Sequence, residues 1–195
     1  MAHSHYFDSH PTVPSRPCEV PFGDVTLLSD RGVFSGDRVD SGTVELLRAV
    51  PPPPTAGDLL DLGCGYGPIA VTMAIRAPGA TVWAVDTNER ALALVADNAS
   101  RLGLGNVRPA RPGDVPDEIR FAAIWSNPPI RIGKAALHPL LLDWLGRLQP
   151  GGRAHLVVHK HLGGDSLAAW LTSAGHTTTK VASRKGYRLL EVEAR

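Results

Sequence analysis

Cysteine is scarce in this chain: Cys18 and Cys64 are the only two among 195 residues. Two thiols do not make a zinc site, and a disulfide between them is not expected in a reducing compartment. No apolar run approaches the roughly 18 residues that a membrane span requires. The N-terminus lacks the basic-then-apolar pattern of a secretory signal, so a cytoplasmic protein is expected. Charge of one sign is not in excess either. The formal net charge of +1 provides no global field for a polyanionic partner and leaves a local basic patch as the electrostatic route to one.

What is present is the material of one ordinary domain. The hydrophobic fraction of 43% and the length suffice for a sheet buried on both faces. Neither a second domain nor an internal repeat is visible. Residues 1–24 read as a flexible N-terminal arm and residues 25–195 as the domain. The first part of the arm, Met1 to Pro17, is rich in Pro, His and Ser. Its His3, His5 and His10 read as a solvated leader in preference to a metal-capturing cluster.

Along the domain, Val25–Leu28 reads as a short strand and 32–36 as a turn-rich loop. Ser41 or Thr43 is expected to cap a helix through Val50. Pro51–Pro54 then forms a stiff spacer. Strands are expected at 59–62, 81–85, 107–110, 121–126, 154–158, 176–181 and 187–192. Helices are expected at 68–76, from the Asn88 cap to Leu102, at 134–148 with Pro139 disturbing its first turns, and at 166–173. The short link between the last two strands forces an antiparallel pair. The fold class is therefore α/β, a doubly wound, mostly parallel seven-stranded sheet with an antiparallel C-terminal strand.

In such sheets ligands bind beyond the carboxyl ends of the strands. Four segments fall there: Gly63–Gly67, Asp86, Asn127–Ile130 and His159–Gly164, with the hairpin tip 183–186 on the same edge. In Asp61-Leu62-Gly63-Cys64-Gly65-Tyr66-Gly67 the glycines let the backbone turn tightly and approach a ligand. Cys64 is read there as a small residue in a tight loop, since no basic neighbour would activate its thiol. Asp86 lies about 20 residues on, where a carboxylate takes the hydroxyls of a ribose. The loop alone leaves a nicotinamide cofactor and an adenosyl sulfonium both open. The buried acid Asp61 suits a cationic ligand better than a pyrophosphate. The third glycine also falls one position short of the dinucleotide pattern, where Pro68 stands. Thr87 and the pair Asp114 and Val115 complete the expected cofactor contacts. Asp114 either accepts from an adenine amine or is a turn residue before Pro116.

Asn127-Pro128-Pro129-Ile130 follows an apolar strand. An exocyclic amine is a poor nucleophile because its lone pair is delocalised into the ring. The Asn127 side-chain oxygen and the Pro128 carbonyl can each accept one amine hydrogen, and both bonds strengthen as positive charge develops on nitrogen. No strong general base is required. Asn127, Pro128, Pro129 and Ile130 are thus the expected catalytic set, with Asn127 also touching the cofactor.

The glycine loop and the Asn-Pro-Pro-Ile run together resemble class I S-adenosylmethionine-dependent methyltransferases of the small-domain type. The closest resemblance is to small-subunit ribosomal RNA guanine-N2 methyltransferases and their single-domain archaeal relatives. Gly32-Val33-Phe34-Ser35, Asp40-Ser41-Gly42-Thr43, 127–134 and Gly186-Tyr187-Arg188 extend the match. The resemblance implies a Rossmann-like methyltransferase fold, S-adenosylmethionine at Gly63, Gly65 and Asp86, and an amine clamp at Asn127 and Pro128. Some relatives carry an aromatic after Asn-Pro-Pro; Ile130 cannot stack on a base, and Phe34 is either a substitute ring or a core residue. The bacterial ribosomal enzymes carry a further N-terminal domain, which this sequence is expected to lack.

Arg131, Lys134, His159, Lys160, His161, Arg184, Lys185 and Arg188 fall in or near the carboxyl-edge loops. They either hold RNA phosphates or form a solvated rim. The expected partner is ribosomal RNA or the small ribosomal subunit, with no membrane. The alternative acceptors are a protein glutamine, a DNA adenine or a small-molecule amine. A non-catalytic RNA-binding module that retains a cofactor pocket is a further alternative, and a nicotinamide oxidoreductase a distant one.

Overall fold

The computed structural model describes residues 13–194, so the expected histidine leader lies outside the described residues. Nine strands and five α-helices are found among them. The chain begins with β1 (Cys18–Phe22) and β2 (Val25–Ser29), an antiparallel hairpin. The arm-to-domain boundary expected at residue 25 therefore cuts through a hairpin: Val20 and Leu27 are buried in a small cluster with Tyr66, Ala91 and Leu94. Two separated short strands with only one inward residue or two each leave little pattern to read.

Helix α1 (Ser41–Ala49) is capped by Asp40, whose side chain accepts from the N–H groups of Gly42 and Thr43 at 2.8 and 3.3 Å. The expected caps, Ser41 and Thr43, are inside the helix. Asp40 has the extended backbone that a cap requires and reaches the first-turn donors directly.

From there strands and helices alternate: β3 (Gly57–Leu62), α2 (Pro68–Arg76), β4 (Ala80–Val85), α3 (Glu89–Arg101), β5 (Val107–Ala110) and β6 (Phe121–Ser126). All six residues of β6 are buried, as the strand is covered on both faces. Helix α4 (Lys134–Leu145) runs unbroken through Pro139 and stops at Leu145, not Leu148. Leu148 instead begins β7 (Leu148–His159) and pairs with Phe121. Its apolar side chain fits either period, and the adjoining Pro150-Gly151-Gly152 marks an irregularity in the strand, not a helix end. Helix α5 (Gly164–Ser173) precedes β8 (Thr178–Arg184) and β9 (Tyr187–Glu193). The last hairpin turns on Lys185 and Gly186 alone, with φ of 48° and 83°, the paired positive values of a tight hairpin turn.

The large sheet has the order β5-β4-β3-β6-β7-β9-β8, with β9 antiparallel to both neighbours. Alternation divides the core. Leu59, Ala123 and Trp125 face helices α1, α2 and α3, while Leu60, Ile124 and Phe121 face α4 and α5. Each fully buried leucine on these faces stabilises the fold by about 1.5–3 kcal/mol. Buried Asn98 on α3 joins the first hairpin to the domain. It accepts from Leu28 N–H at 2.6 Å and donates to the carbonyls of Leu28 and Tyr66 at 2.9 and 3.0 Å. No helix among the described residues is long and apolar enough to cross a membrane.

Candidate active site

The carboxyl ends of β3, β4, β6 and β7 converge on a cavity of about 270 Å³. Gly63 and Gly65 line it from the first strand end, Asp86 and Thr87 from the second, and Asn127 to Arg131 from the third. Phe34, Asp40, Asn88, His159 and Tyr187 add polar and aromatic groups to the wall, and Pro112 an aliphatic one.

The glycine loop is held open by its own backbone. The N–H groups of Gly63 and Cys64 both donate to the Val85 carbonyl, at 2.8 and 3.0 Å. Gly65 N–H donates to Asp86 Oδ2 at 2.9 Å, and Asn88 N–H to Asp86 Oδ1 at 2.9 Å. Gly65 has φ +53°, and a Cβ there would meet nothing within 4 Å, so the space beside it is open to a ligand. Burial raises the Asp86 pKa, and the N–H donors oppose that rise. Each Asp86 oxygen keeps acceptor capacity for a further donor such as a ribose hydroxyl.

Five expected cofactor contacts are not on this wall. Asp61 lies beneath the loop, fully buried, with Oδ2 accepting from Ala70 N–H at 2.9 Å and Oδ1 without a partner among the described residues. Burial, aided by the charge of Asp86, pushes its pKa up to about 8. It can act on a cationic ligand only through the field it sets behind the loop. Gly67 initiates α2 at φ +96°, and a Cβ there would come 3.1 Å from Val95 Cγ2, so its role is helix-to-helix approach. Asp114 is exposed on a short 3-10 turn, and the cavity wall there is Pro112. Val115 is buried in the core. Cys64 is also buried, with its thiol pKa raised chiefly by desolvation, and it lines only a smaller adjoining recess.

The polar clamp is oriented from across the chain. Asn127 Nδ2 donates to Asp40 Oδ1 at 2.7 Å and to Thr43 Oγ1 at 3.2 Å. Both amide hydrogens are thus spent within the protein, and Oδ1 is the acceptor left on this cavity-lining residue. Ser126 Oγ–H donates to the Leu62 carbonyl at 2.7 Å, which ties the clamp strand to the glycine-loop strand. The Pro128 carbonyl is partly committed. Ile130 N–H donates to it at 2.7 Å across Pro129, whose φ and ψ of −74° and 66° are those of an inverse γ-turn. One lone pair of that carbonyl remains.

Phe34 is 39% exposed and lines the cavity, so it is not a core residue. Its loop is fastened to α3 by Asn88 Nδ2, which donates to the Gly32 carbonyl at 2.8 Å. Of the basic residues, Arg131 lines the cavity, while Lys134, Lys160 and His161 are exposed near its rim. Arg188 is turned away: its Nε donates to Asp165 Oδ1 at 3.0 Å and its Nη1 to Ser183 Oγ at 2.6 Å. Arg184 and Lys185 approach Glu45 on α1. Asp40, Thr43 and Tyr187 were not among the expected site residues, Thr43 being expected only as a helix cap. An acid and a threonine at a helix start have an ordinary capping explanation, which hid their second use.

The family model described as "Methyltransferase small domain" matches residues 24–191. The uncharacterised protein YbxB of Bacillus subtilis is 33% identical over 196 residues, covering 97% of this chain and 98% of its own length. The ribosomal RNA small subunit methyltransferase C of Shewanella piezotolerans is 32% identical over 148 residues, covering 74% of this chain. This chain spans only 43% of that relative. Among solved structures, the 16S rRNA N2 methyltransferase RsmC of T. thermophilus, in complex with AdoMet and guanosine, superposes with a TM-score of 0.75 at 25% identity. That match covers 95% of this chain and 52% of the other.

Proposed function

The chain belongs to the methyltransferase small domain family, and from that premise we propose that it transfers a methyl group from S-adenosylmethionine to guanine N2 of ribosomal RNA. The observation that carries this reading is the orientation of Asn127, whose amide oxygen is left as an acceptor on the same cavity wall as Gly65 and Asp86.

The residues present fit the cofactor. Asp86 would take the ribose hydroxyls, Gly63 and Gly65 would let the backbone lie against it, and Asp61 would favour its positive charge from behind. When bound, the cofactor supplies an electrophilic methyl group on a sulfonium. The protein's part is positioning and electrostatics. Asn127 Oδ1 and the remaining lone pair of the Pro128 carbonyl accept the two amine hydrogens and aim the nitrogen lone pair away from the ring plane. Pro129, Ile130 and Val158 exclude water from that corner, which strengthens both bonds. The methylated nitrogen is cationic and acidic, so its proton leaves without a buried base. Phe34 supplies the ring that Ile130 does not.

Other planar amines satisfy the same clamp, so the test must compare acceptors. Radiolabelled S-adenosylmethionine is incubated with ribosomal RNA, small ribosomal subunits, DNA, protein and small amines, followed by nucleoside mass spectrometry. N2-methylguanosine in RNA, abolished by Asn127→Ala, is the expected result. Label in protein, DNA or a small molecule would move the acceptor. Cofactor binding without turnover on any of them would reduce the chain to a binding module.

A further inference from the structure

A second cavity, also about 270 Å³, lies between α1 and the β8–β9 hairpin. It meets the first at Val157 and Tyr187, which wall both. Tyr187 is a rigid partition. A Cβ on Gly42 of α1 would come within 2.9 Å of its ring, and the His159 ring stands edge-on to it at 4.9 Å.

Behind this groove sits Glu45, with a side chain only 5% exposed. Its Oε1 faces Arg48 Nη1 at 3.5 Å and Lys185 Nζ at 3.4 Å, and its Oε2 faces Arg184 Nε at 3.4 Å. These contacts are longer than the roughly 2.7–2.9 Å of a well-made charge-assisted hydrogen bond. The three cationic side chains remain 54%, 63% and 65% exposed for Arg48, Lys185 and Arg184. Three cations less one carboxylate leave two positive charges over a groove beside the acceptor cavity. A single cation would neutralise Glu45. Glu45 faces three, so two cationic heads are surplus to it and open to an incoming anion.

We propose that this groove seats the phosphodiester next to the acceptor nucleotide, with Arg48, Arg184 and Lys185 receiving its oxygens while the base lies across Tyr187. This rests on the RNA reading above and deepens it, because it specifies where the strand leaves the base pocket. The exposure of the cationic heads suits a chain that continues past the groove better than an enclosed small anion.

The test is fluorescence anisotropy with a short labelled RNA hairpin carrying one unpaired guanine, measured across a salt series. Arg184→Gln/Lys185→Gln should lose about tenfold or more in RNA affinity at low salt. Its log–log salt slope should fall by about 1.4, or roughly 0.7 for each lost phosphate contact on a single strand. Cofactor affinity by calorimetry should change less than about twofold, since neither side chain lines the cofactor wall. Glu45→Gln should bind the hairpin about threefold more tightly, as the competing carboxylate is removed. An unaltered salt slope in the double variant, or weaker RNA binding by a folded Glu45→Gln protein, overturns the proposal. A reduced slope with no methylation of any RNA supports the groove and sinks the methyl-transfer reading. RNA methylation with an unaltered slope does the reverse.

Discussion

Asp40 and Asn127 lie 87 positions apart and are joined by a 2.7 Å hydrogen bond from the Asn127 amide to Asp40 Oδ1. The same oxygen caps α1 through Gly42 and Thr43. One carboxylate atom therefore starts a helix and holds the Asn127 amide, so a single substitution removes both contacts. Asp40→Ala should cost about 1 kcal/mol of stability through the lost cap and lower kcat about 10–100-fold, with little change in cofactor affinity. Thr43→Ala should cost far less activity, because the charged and shorter bond from Asp40 remains. Steady-state kinetics and calorimetry on both variants decide this. Equal loss in the two would deny Asp40 its orienting part.

Phe34 is an exposed ring on the cavity wall, and Ile130 offers that wall only an aliphatic surface. Base–aromatic stacking contributes about 1–3 kcal/mol. Phe34→Ala should therefore raise KM for the RNA acceptor about 5–100-fold with a smaller effect on kcat. Adding Ile130→Phe to that variant should recover much of the loss. A KM unchanged by Phe34→Ala would remove the ring from acceptor binding.

Asp61 gives the free protein an unusual pH dependence. Its folded pKa of about 8 stands above the unfolded 3.8, so over this interval the folded state holds the proton more tightly. This contribution to stability is fully present below about pH 4 and is lost as pH rises through about 8. Asp61→Asn should flatten that part of the profile, because a neutral amide can still accept from Ala70 N–H. Above about pH 8, where Asp61 is ionised, it should also weaken binding of a cationic cofactor, since the negative charge behind the loop is gone. Thermal melts from pH 5 to 9 without ligand, with calorimetry alongside, test both halves. A wild-type melting profile that rises across that range would contradict the assignment.

Asn98 makes three hydrogen bonds that hold the first hairpin and the glycine loop to α3. Asn98→Ala leaves Leu28 N–H without its partner in a buried setting and should cost about 2–4 kcal/mol. Denaturant unfolding measures the cost. Protection from hydrogen exchange should fall first in Cys18–Ser29, and a loss spread evenly over the sheet would argue against a local tether.

The sheet and the cavity wall formed by Gly63, Gly65 and Asp86 were legible in the sequence because both rest on local signals. The apolar run 121–126, the alternation of strand and helix, and the glycines of the first turn each restrict the backbone where they stand. Of the first hairpin only the second strand was legible: its partner is short, and the pair is tied to the domain by Asn98, about 70 residues later. Asp114 and Gly67 misled for a related reason. An acid after a strand and a glycine in a loop have the right chemistry, but whether they reach a ligand depends on a turn and on the neighbouring helix.

Composition and local pattern alone determined that this chain forms a doubly wound sheet with a glycine loop, an acid and an Asn-Pro-Pro run at one edge. Those features follow from backbone sterics and hydrophobic period, which act between near neighbours. Only the tertiary structure decided which atom of Asn127 is free, that Asp61 lies buried behind the loop, and that Arg184 and Lys185 gather on Glu45. Each of those depends on hydrogen bonds or charges between residues far apart in the chain, and their directions exist only once the fold has brought the partners together.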